Sequence, residues 1–340
     1  MSDVIEPKAV VDSSLNIREI EVDPSWRDDL YANPSYAAYR ENWDLATHKY
    51  QLFSDPLFVE IETSYACNYK CPFCPQVTLP EKPTGGLMKR EILDKLFDEI
   101  AARRIPSVNL AHGGEPLIRK DIPQLLARMR EMGVLDRLIH TNAYLLSESA
   151  SEAILEAGVT KINFSLDAIT EATYDKVRIG GNFERVYRNV HRFLELKKQR
   201  GLSYPRTRVS FVVTEANALE QKAFFDYWKD KVNVVAFQQE YDFSAAGNKM
   251  RLERSRRPKG AKPCSLLWQH LCVTHDGHIT CMHDYQHDNV LGNVATHSLH
   301  DCWNSEKMNE YRELHKRDRA CDIAMCEKCL LRVEPVDQAG

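Results

Sequence analysis

Residues 62–76 read ETSYACNYKCPFCPQ, and the three cysteines in that stretch, Cys67, Cys71 and Cys74, follow a C-x3-C-x2-C spacing. Thiolates are ligands for zinc and for iron–sulfur clusters alike. So short a loop can direct three sulfurs at one centre, and Pro72 and Pro75 restrict its path. A structural zinc site wants four ligands, and neither a fourth cysteine nor a histidine lies in the loop. A [4Fe–4S] cluster held by three thiolates keeps one iron open, and that vacancy is a place for chemistry.

The segment leading into the loop, LFVEIET (57–63), reads as a strand. Five more strand-like segments follow: SVNLAH (107–112), DRLIHT (136–141), KINFSL (161–166), TRVSFVV (207–213) and VNVVAFQ (232–238). Amphipathic helical stretches lie between them, at 88–103, 121–132, 147–157, 183–200 and 217–230. SESASEAILEAG opens with a serine cap and closes at Gly158. Strand alternating with helix predicts an α/β fold with a parallel sheet. Six units are fewer than the eight of a closed barrel, so the expected architecture is a partial (β/α)6 TIM-like barrel with an open side. Its active site belongs at the C-terminal ends of the strands, where the cysteine loop sits. The expected organisation is an N-terminal helical extension (1–55), a barrel core (56–245) and a small cysteine-rich second domain (246–340). SYAAYRENWDLATHKYQLF (35–53) supplies the helix of the extension.

Composition narrows the functional classes. The 340 residues are 43% hydrophobic and 28% charged, with a net charge of −4, which does not suggest nucleic acid as a partner. The basic stretch KMRLERSRRPKGAK (249–262) reads as a solvated linker. With neither a signal peptide nor an apolar run of membrane-spanning length, the chain is expected to be cytoplasmic and off the membrane. Ten cysteines in such a chain are not a disulfide framework. Three lie at 67–74 and seven between 264 and 329, which points to two separate metal or redox sites.

The first constellation, with Phe73 just before its last cysteine, resembles the radical S-adenosylmethionine superfamily. By that resemblance Cys67, Cys71 and Cys74 hold a [4Fe–4S] cluster, and the methionine moiety of S-adenosylmethionine fills the open iron site. HGGEP (112–116) resembles the family's GGE motif, which implies that Gly113, Gly114 and Glu115 hold the methionine amino group. TNA (141–143) resembles its TNG, with Ala143 where glycine is usual. SLDA (165–168) resembles its SLDG and is followed by YDKVRIGG, which contains Arg178. The resemblance implies that Ser165 and Arg178 contact the cofactor's carboxylate or ribose, and Phe73, Asn142 and Asp167 complete the implied cofactor-binding set. The implied chemistry is reductive cleavage of S-adenosylmethionine to a 5′-deoxyadenosyl radical, which abstracts hydrogen from an unactivated carbon. A flavodoxin- or ferredoxin-type donor would supply the electron.

In the second constellation, CVTHDGHITCMHDYQHDNVLGNV (272–294) reads as a β-hairpin turning at DG, and SLHDCWNSEKMNEYRELHK (298–316) as a helix. Cys264, Cys281 and the CEKC pair, Cys326 and Cys329, form a plausible ligand set. The order resembles SPASM and Twitch-type auxiliary-cluster domains. No cysteine follows Cys329, and by the resemblance that implies one auxiliary [4Fe–4S] cluster. A four-cysteine zinc site, joined by His275, His278, His283 or His287, is the competing reading. Cys272 and Cys302 read as buried small hydrophobes, and Cys321 is ambiguous.

Two enzyme functions and one other remain open. The chain would take hydrogen from a small molecule, such as a sugar, cyclitol or nucleoside, with dehydrogenation or epimerisation as the outcome. Alternatively it matures a ribosomally made peptide, although residues 1–55 do not read as a complete β-rich recognition domain. The third reading is a non-enzymatic iron–sulfur or zinc protein, which motifs at successive strand ends disfavour. FQQEYD (237–242) ends the sixth strand, so Glu240 and Asp242 are candidates to accept a proton, and Cys272 is a candidate hydrogen donor. His112 is a candidate substrate contact.

Overall fold

Along Arg206–Val213 burial alternates. Thr207, Val209 and Phe211 are buried, whereas Arg206, Arg208, Ser210 and Val212 are half-buried. A parallel strand covered by helices on both faces would be apolar throughout. The alternation therefore means that one face is packed and the other borders an open space.

The structure, a computed structural model, describes residues 10–12, 17–79, 85–240, 260, 262–281, 289–323 and 326. Its strands are β1 (Val10–Asp12), β2 (Ile17–Glu21), β3 (Phe58–Ile61), β4 (Ser107–Asn109), β5 (Asp136–Thr141), β6 (Lys161–Ser165), β7 (Arg206–Val213), β8 (Val234–Gln239), β9 (His270–Val273), β10 (His278–Thr280) and β11 (Val290–Asn293). They form one sheet in the order β1-β2-β8-β7-β6-β5-β4-β3-β9-β10-β11. The strands β3 to β8 are parallel neighbours in sequence order, which is the expected six-unit partial barrel.

The outer face carries Val59, Ile61, Val108, Ile139, Ile162, Phe164, Val209 and Phe211, all buried. Helices spaced to match cover it. Arg90–Arg103 buries Leu93, Leu96, Phe97 and Ile100, a stripe at i, i+3, i+4 and i+7. Phe183–Gln199 buries Val186, Val190 and Phe193, with Asn182 capping its start by accepting from Arg185 N. The inner face is mixed, with Leu138, Val234 and Ala236 among its polar side chains. It carries Glu60, Asn109, His140, Asn163, Arg208 and Ser210, placed on one side by the pairings Glu60↔Asn109, His140↔Asn163, Asn163↔Arg208 and Ser165↔Ser210.

The N-terminal end of the barrel is closed by helix Pro34–Lys49, which buries Tyr36 and Tyr39. Beneath it Lys161 pairs with the buried Asp136. Glu19 on β2 pairs with both Arg206 and Arg208.

Three expectations need correction. The N-terminal extension is not wholly helical, because β2 pairs antiparallel with β8 over Ile17–Glu21 and completes that edge of the sheet. The cysteine-rich segment does not stand apart either. Its strand β9 pairs in parallel with β3, Phe58–Ile61 against His270–Val273, so the sheet runs on into it. The helix expected over 298–316 is two, Leu299–Trp303 and Glu306–Lys316, because Ser305 caps a new start at Met308 N. Asp242, Cys329, His283 and His287 lie outside the described residues. Among the described residues no helix is long and apolar enough to cross a membrane.

Burial alone would raise the Glu19 carboxyl, but Arg206 and Arg208 hold it down from 4.5 to about 2. A depressed carboxyl stabilises the fold fully above its unfolded pKa and loses that contribution as pH falls through the folded value. Glu19→Gln is expected to cost on the order of 3 kcal/mol at pH 7. In denaturant unfolding, the gap from wild type should shrink below pH 4.5 and close near pH 2.

Candidate active site and cysteine centres

Strand β3 ends at Ile61, and the chain turns into the loop that carries the three cysteines. Tyr65 N donates to Gly86 O at 2.8 Å, and Lys70 N donates to Ile179 O at 2.8 Å, so the loop is held from two sides. Cys74 N donates to Cys71 O at 3.0 Å, and Cys74 sits at the start of the helical turn Pro75–Thr78. Cys71 is buried, while Cys67 and Cys74 are half-buried. Burial pushes all three thiols up, Cys67 to about 11. Three thiols carried on one short loop fit a metal centre, whose charge would displace their protons.

The GGE segment lies directly against this loop. Glu115 N donates to Ala66 O at 2.9 Å. A Cβ on Gly114 would fall inside the loop backbone, 2.6 Å from Ala66 O and 2.8 Å from Tyr65 C. A Cβ on Gly113 would meet the carboxylate of Glu62, which is buried and held by His275 through N at 3.0 Å and Nδ1 at 2.9 Å. The Glu115 carboxylate does not point into an open site. It is 2% exposed and accepts from Leu117 N at 3.0 Å, Thr141 Oγ1 at 2.7 Å and Asn142 N at 2.8 Å. Burial raises this carboxyl, and the three donors pull it back down. Its carboxylate therefore ties strand ends together.

The other expected cofactor residues brace the loop in similar ways. Asn142 Nδ2 donates to Asn68 Oδ1 at 2.9 Å. Ala143 adopts φ +60°, the left-handed conformation that favours the glycine usual there. Asp167, at φ +62° and fully buried, accepts from Val212 N at 2.6 Å and pairs with Arg178. The Arg178 guanidinium lies 3.6 Å from Cys71 Sγ through Nη1 and sits 5.5 Å from the centre of the Phe73 ring. Ser165 ends β6, half-buried on the inner face. The candidates for acid–base work do not gather. Glu240 follows β8, with its N donating to Val213 O at 3.2 Å, whereas Cys272 is fully buried on β9 beside Glu60 and His112.

In the C-terminal segment Cys264 and Cys326 are half-buried, Cys281 and Cys302 are buried, and Cys321 is exposed. Sequence reasoning missed His315, which links two of the expected ligands. Its Nδ1 accepts from Cys264 N at 3.1 Å, and its Nε2 lies 3.4 Å from Cys326 Sγ. A backbone N–H only donates, so Nδ1 is unprotonated and the neutral ring carries its proton on Nε2, aimed at the sulfur. His140, Asn109 and Asn163 were missed as well. Their signal was present, since a polar residue within a parallel strand marks a face that helices do not cover.

Two predictions follow from this packing. Gly114→Ala is expected to displace the cysteine loop and remove about four irons per chain while the C-terminal iron stays; iron analysis of the reconstituted protein checks it. His315→Phe removes an N–H···S hydrogen bond and is expected to shift the midpoint potential of the C-terminal cluster to more negative values in a redox titration followed by electron paramagnetic resonance.

Comparison with known proteins agrees with this arrangement. The family model described as radical SAM superfamily matches residues 61–204, and SPASM, an iron–sulfur cluster-binding domain, matches residues 264–330. A GTP 3′,8-cyclase of Limosilactobacillus fermentum is 29% identical over 196 residues, which is 57% of this chain and 56% of that protein. A GTP 3′,8-cyclase of Lactiplantibacillus plantarum is 32% identical over 131 residues, 38% of this chain and 39% of that protein. The chain thus spans about half the length, or less, of the curated relatives it matches. Among solved structures, anSMEcpe with bound AdoMet aligns at TM-score 0.60 and 19% identity, covering 84% of this chain and 92% of that one. BtrN in complex with AdoMet and 2-DOIA aligns at TM-score 0.55 and 18% identity, covering 84% and 97%. The chain therefore carries a radical SAM domain over residues 61–204 and a SPASM iron–sulfur domain over residues 264–330, and these imply S-adenosylmethionine, a [4Fe–4S] cluster and an auxiliary iron–sulfur cluster as its cofactors.

Proposed function

We propose that the chain abstracts a hydrogen atom from a polyhydroxylated small molecule, a sugar, cyclitol or nucleoside, held against the inner face of the sheet, with dehydrogenation or epimerisation as the outcome. One observation carries this reading. The Asn109 and Asn163 side chains are buried there, and the Oδ1 of each has no hydrogen-bond partner among the described residues. The Asn109 amide cannot turn round, because its Nδ2 donates to Glu60 Oε1 at 2.7 Å and to Ala111 O at 3.0 Å. Two buried amide oxygens without donors are costly unless a ligand supplies the donors, and hydroxyl groups do so.

His140 stands on the strand between these two asparagines. Burial pushes its imidazole down from 6.5 to about 4, so it is neutral at physiological pH and offers one donor and one acceptor. Arg208 on the same face is already paired with Glu19, which leaves the lumen polar and without a strong cationic patch. Such a lining suits a neutral polyol. The names of the sequence relatives and the 2-DOIA bound by the BtrN structure are consistent with small molecules, although neither names this substrate.

When bound, S-adenosylmethionine and the reduced cluster supply the 5′-deoxyadenosyl radical. The protein's own residues do the rest. Glu115, Asn142 and Arg178 fix the cysteine loop, Asn109 and Asn163 orient the substrate hydroxyls, and Glu240, which follows β8, would take the hydroxyl proton when the carbon that bears it is oxidised, the auxiliary cluster being the electron acceptor when bound. A flavodoxin- or ferredoxin-type protein delivers the electron.

Release of 5′-deoxyadenosine by the reconstituted protein should rise with particular members of a panel of sugars, cyclitols and nucleosides. Stimulation by peptides alone would overturn the reading. Asn163→Ala should raise KM for the active compound roughly tenfold by removing one hydroxyl acceptor, and leave the slow substrate-free cleavage unchanged.

A further inference from the structure

Where the C-terminal strand joins the barrel, three ligand-type side chains from distant parts of the chain meet. Glu60 comes from β3, His112 from the turn after β4 and Cys272 from β9, which pairs with β3 at Glu60↔Cys272. One carboxylate oxygen, one imidazole nitrogen and the sulfur all lie within 4.8 Å of one another. Glu60 is 5% exposed and Cys272 is 0% exposed. None of the three belongs to either cysteine centre described above.

A hydrogen-bonded relay is the ordinary explanation of a Cys, His and Glu together. It would place the sulfur and the carboxylate on opposite nitrogens of the ring, with the ring between them. Here one carboxylate oxygen, one ring nitrogen and the sulfur all lie within 4.8 Å of one another, closer than an in-line arrangement across the ring allows. The contact between His112 Nδ1 and Glu60 Oε2 is 3.3 Å. That is longer than the roughly 2.7–2.9 Å of a charge-assisted hydrogen bond. It matches the edge of about 3.3 Å between two ligands that each stand about 2.0–2.1 Å from one tetrahedral ion.

The surroundings fit as well. The other carboxylate oxygen, Glu60 Oε1, accepts from Asn109 Nδ2 at 2.7 Å, which fixes the carboxylate as an outer partner fixes a metal ligand. A carboxylate and a thiolate carry two negative charges, which a divalent cation neutralises in a site too buried for them to stand alone.

We propose that Glu60, His112 and Cys272 form a third metal site that takes a zinc-type divalent cation. Mixed oxygen, nitrogen and sulfur donors favour such an ion over magnesium or calcium. Three protein ligands leave a fourth position open, as in catalytic zinc sites. His112 also lines a small cavity with Tyr65, Cys74, Gln76 and Gly113, which brings this edge of the cluster beside the cysteine loop. A substrate hydroxyl is the ligand suited to that position. This last clause rests on the proposed function, whereas the metal site itself does not.

Elemental analysis of the full-length protein, reconstituted with iron and sulfide, equilibrated with Zn2+ and then desalted against a weak chelator, tests the site without any substrate. About one zinc per chain is expected in the wild type. Cys272→Ala and His112→Gln should each lose it with iron content unchanged, which also shows that they fold. Asn109→Ala should keep the ligands but hold zinc roughly tenfold or more weakly in chelator competition. Wild-type zinc no higher than in Cys272→Ala would overturn the proposal, as would zinc unchanged by both ligand variants. A zinc site confirmed beside a failed substrate panel would leave this inference standing and remove only the proposed substrate class.

Discussion

The buried carboxylate of Glu115 is the interaction on which the catalytic end depends. Its two oxygens take one donor from its own turn and two from the end of β5, while its backbone N–H reaches the cysteine loop after β3. Three strand ends are thereby held by one residue. A carboxylate is suited to the task because it accepts several hydrogen bonds at once, and burial makes each of them strong. The glycine before it completes the joint, since only a residue without a Cβ lets the two backbones touch. The cysteine loop itself contributes little regular structure, only the turn Pro75–Thr78, so its shape is imposed by these neighbours.

Much of this was legible in the sequence, and for definite reasons. The six core strands each carry an apolar outer row, and helices such as Arg90–Arg103 show an unbroken 3.6-residue stripe. Those periodicities are local. The cysteine spacing is local too, and it marked the site at once. The strand β2 was not legible, because IREIE has no partner nearby and becomes a strand only against β8, more than two hundred residues later. The parallel pairing of β9 with β3 was hidden for the same reason. The inward turn of the Glu115 carboxylate was not legible either, because a motif shows which residues are present but not which way a side chain turns.

The two faces of the sheet divide the labour. The outer row supplies stability through contact with helices, and it tolerates exchange among apolar residues of similar size. The inner row includes amides, imidazole, carboxylate and guanidinium, and Asn109 and Asn163 each keep a buried oxygen without a hydrogen-bond partner among the described residues. Ion pairs fill the end nearest the N-terminal helix, where Asp136 meets Lys161 and Glu19 meets two arginines. Charge is thus compensated away from the cysteine loop, and uncompensated acceptors remain nearer to it.

The place of β9 beside β3 bears on how the molecule is made. The strand that launches the cysteine loop is among the first of the barrel to leave the ribosome, and its partner on one side arrives more than two hundred residues later. Until then β3 presents an unpaired edge of backbone N–H and C=O groups next to three exposed-prone thiols. Long-range parallel pairing of this kind closes slowly and leaves the nascent chain open to aggregation and oxidation. Synthesis of this chain therefore favours low temperature and chaperone cover, and a version shortened before residue 270 would keep every barrel strand yet remain permanently unsealed on that side.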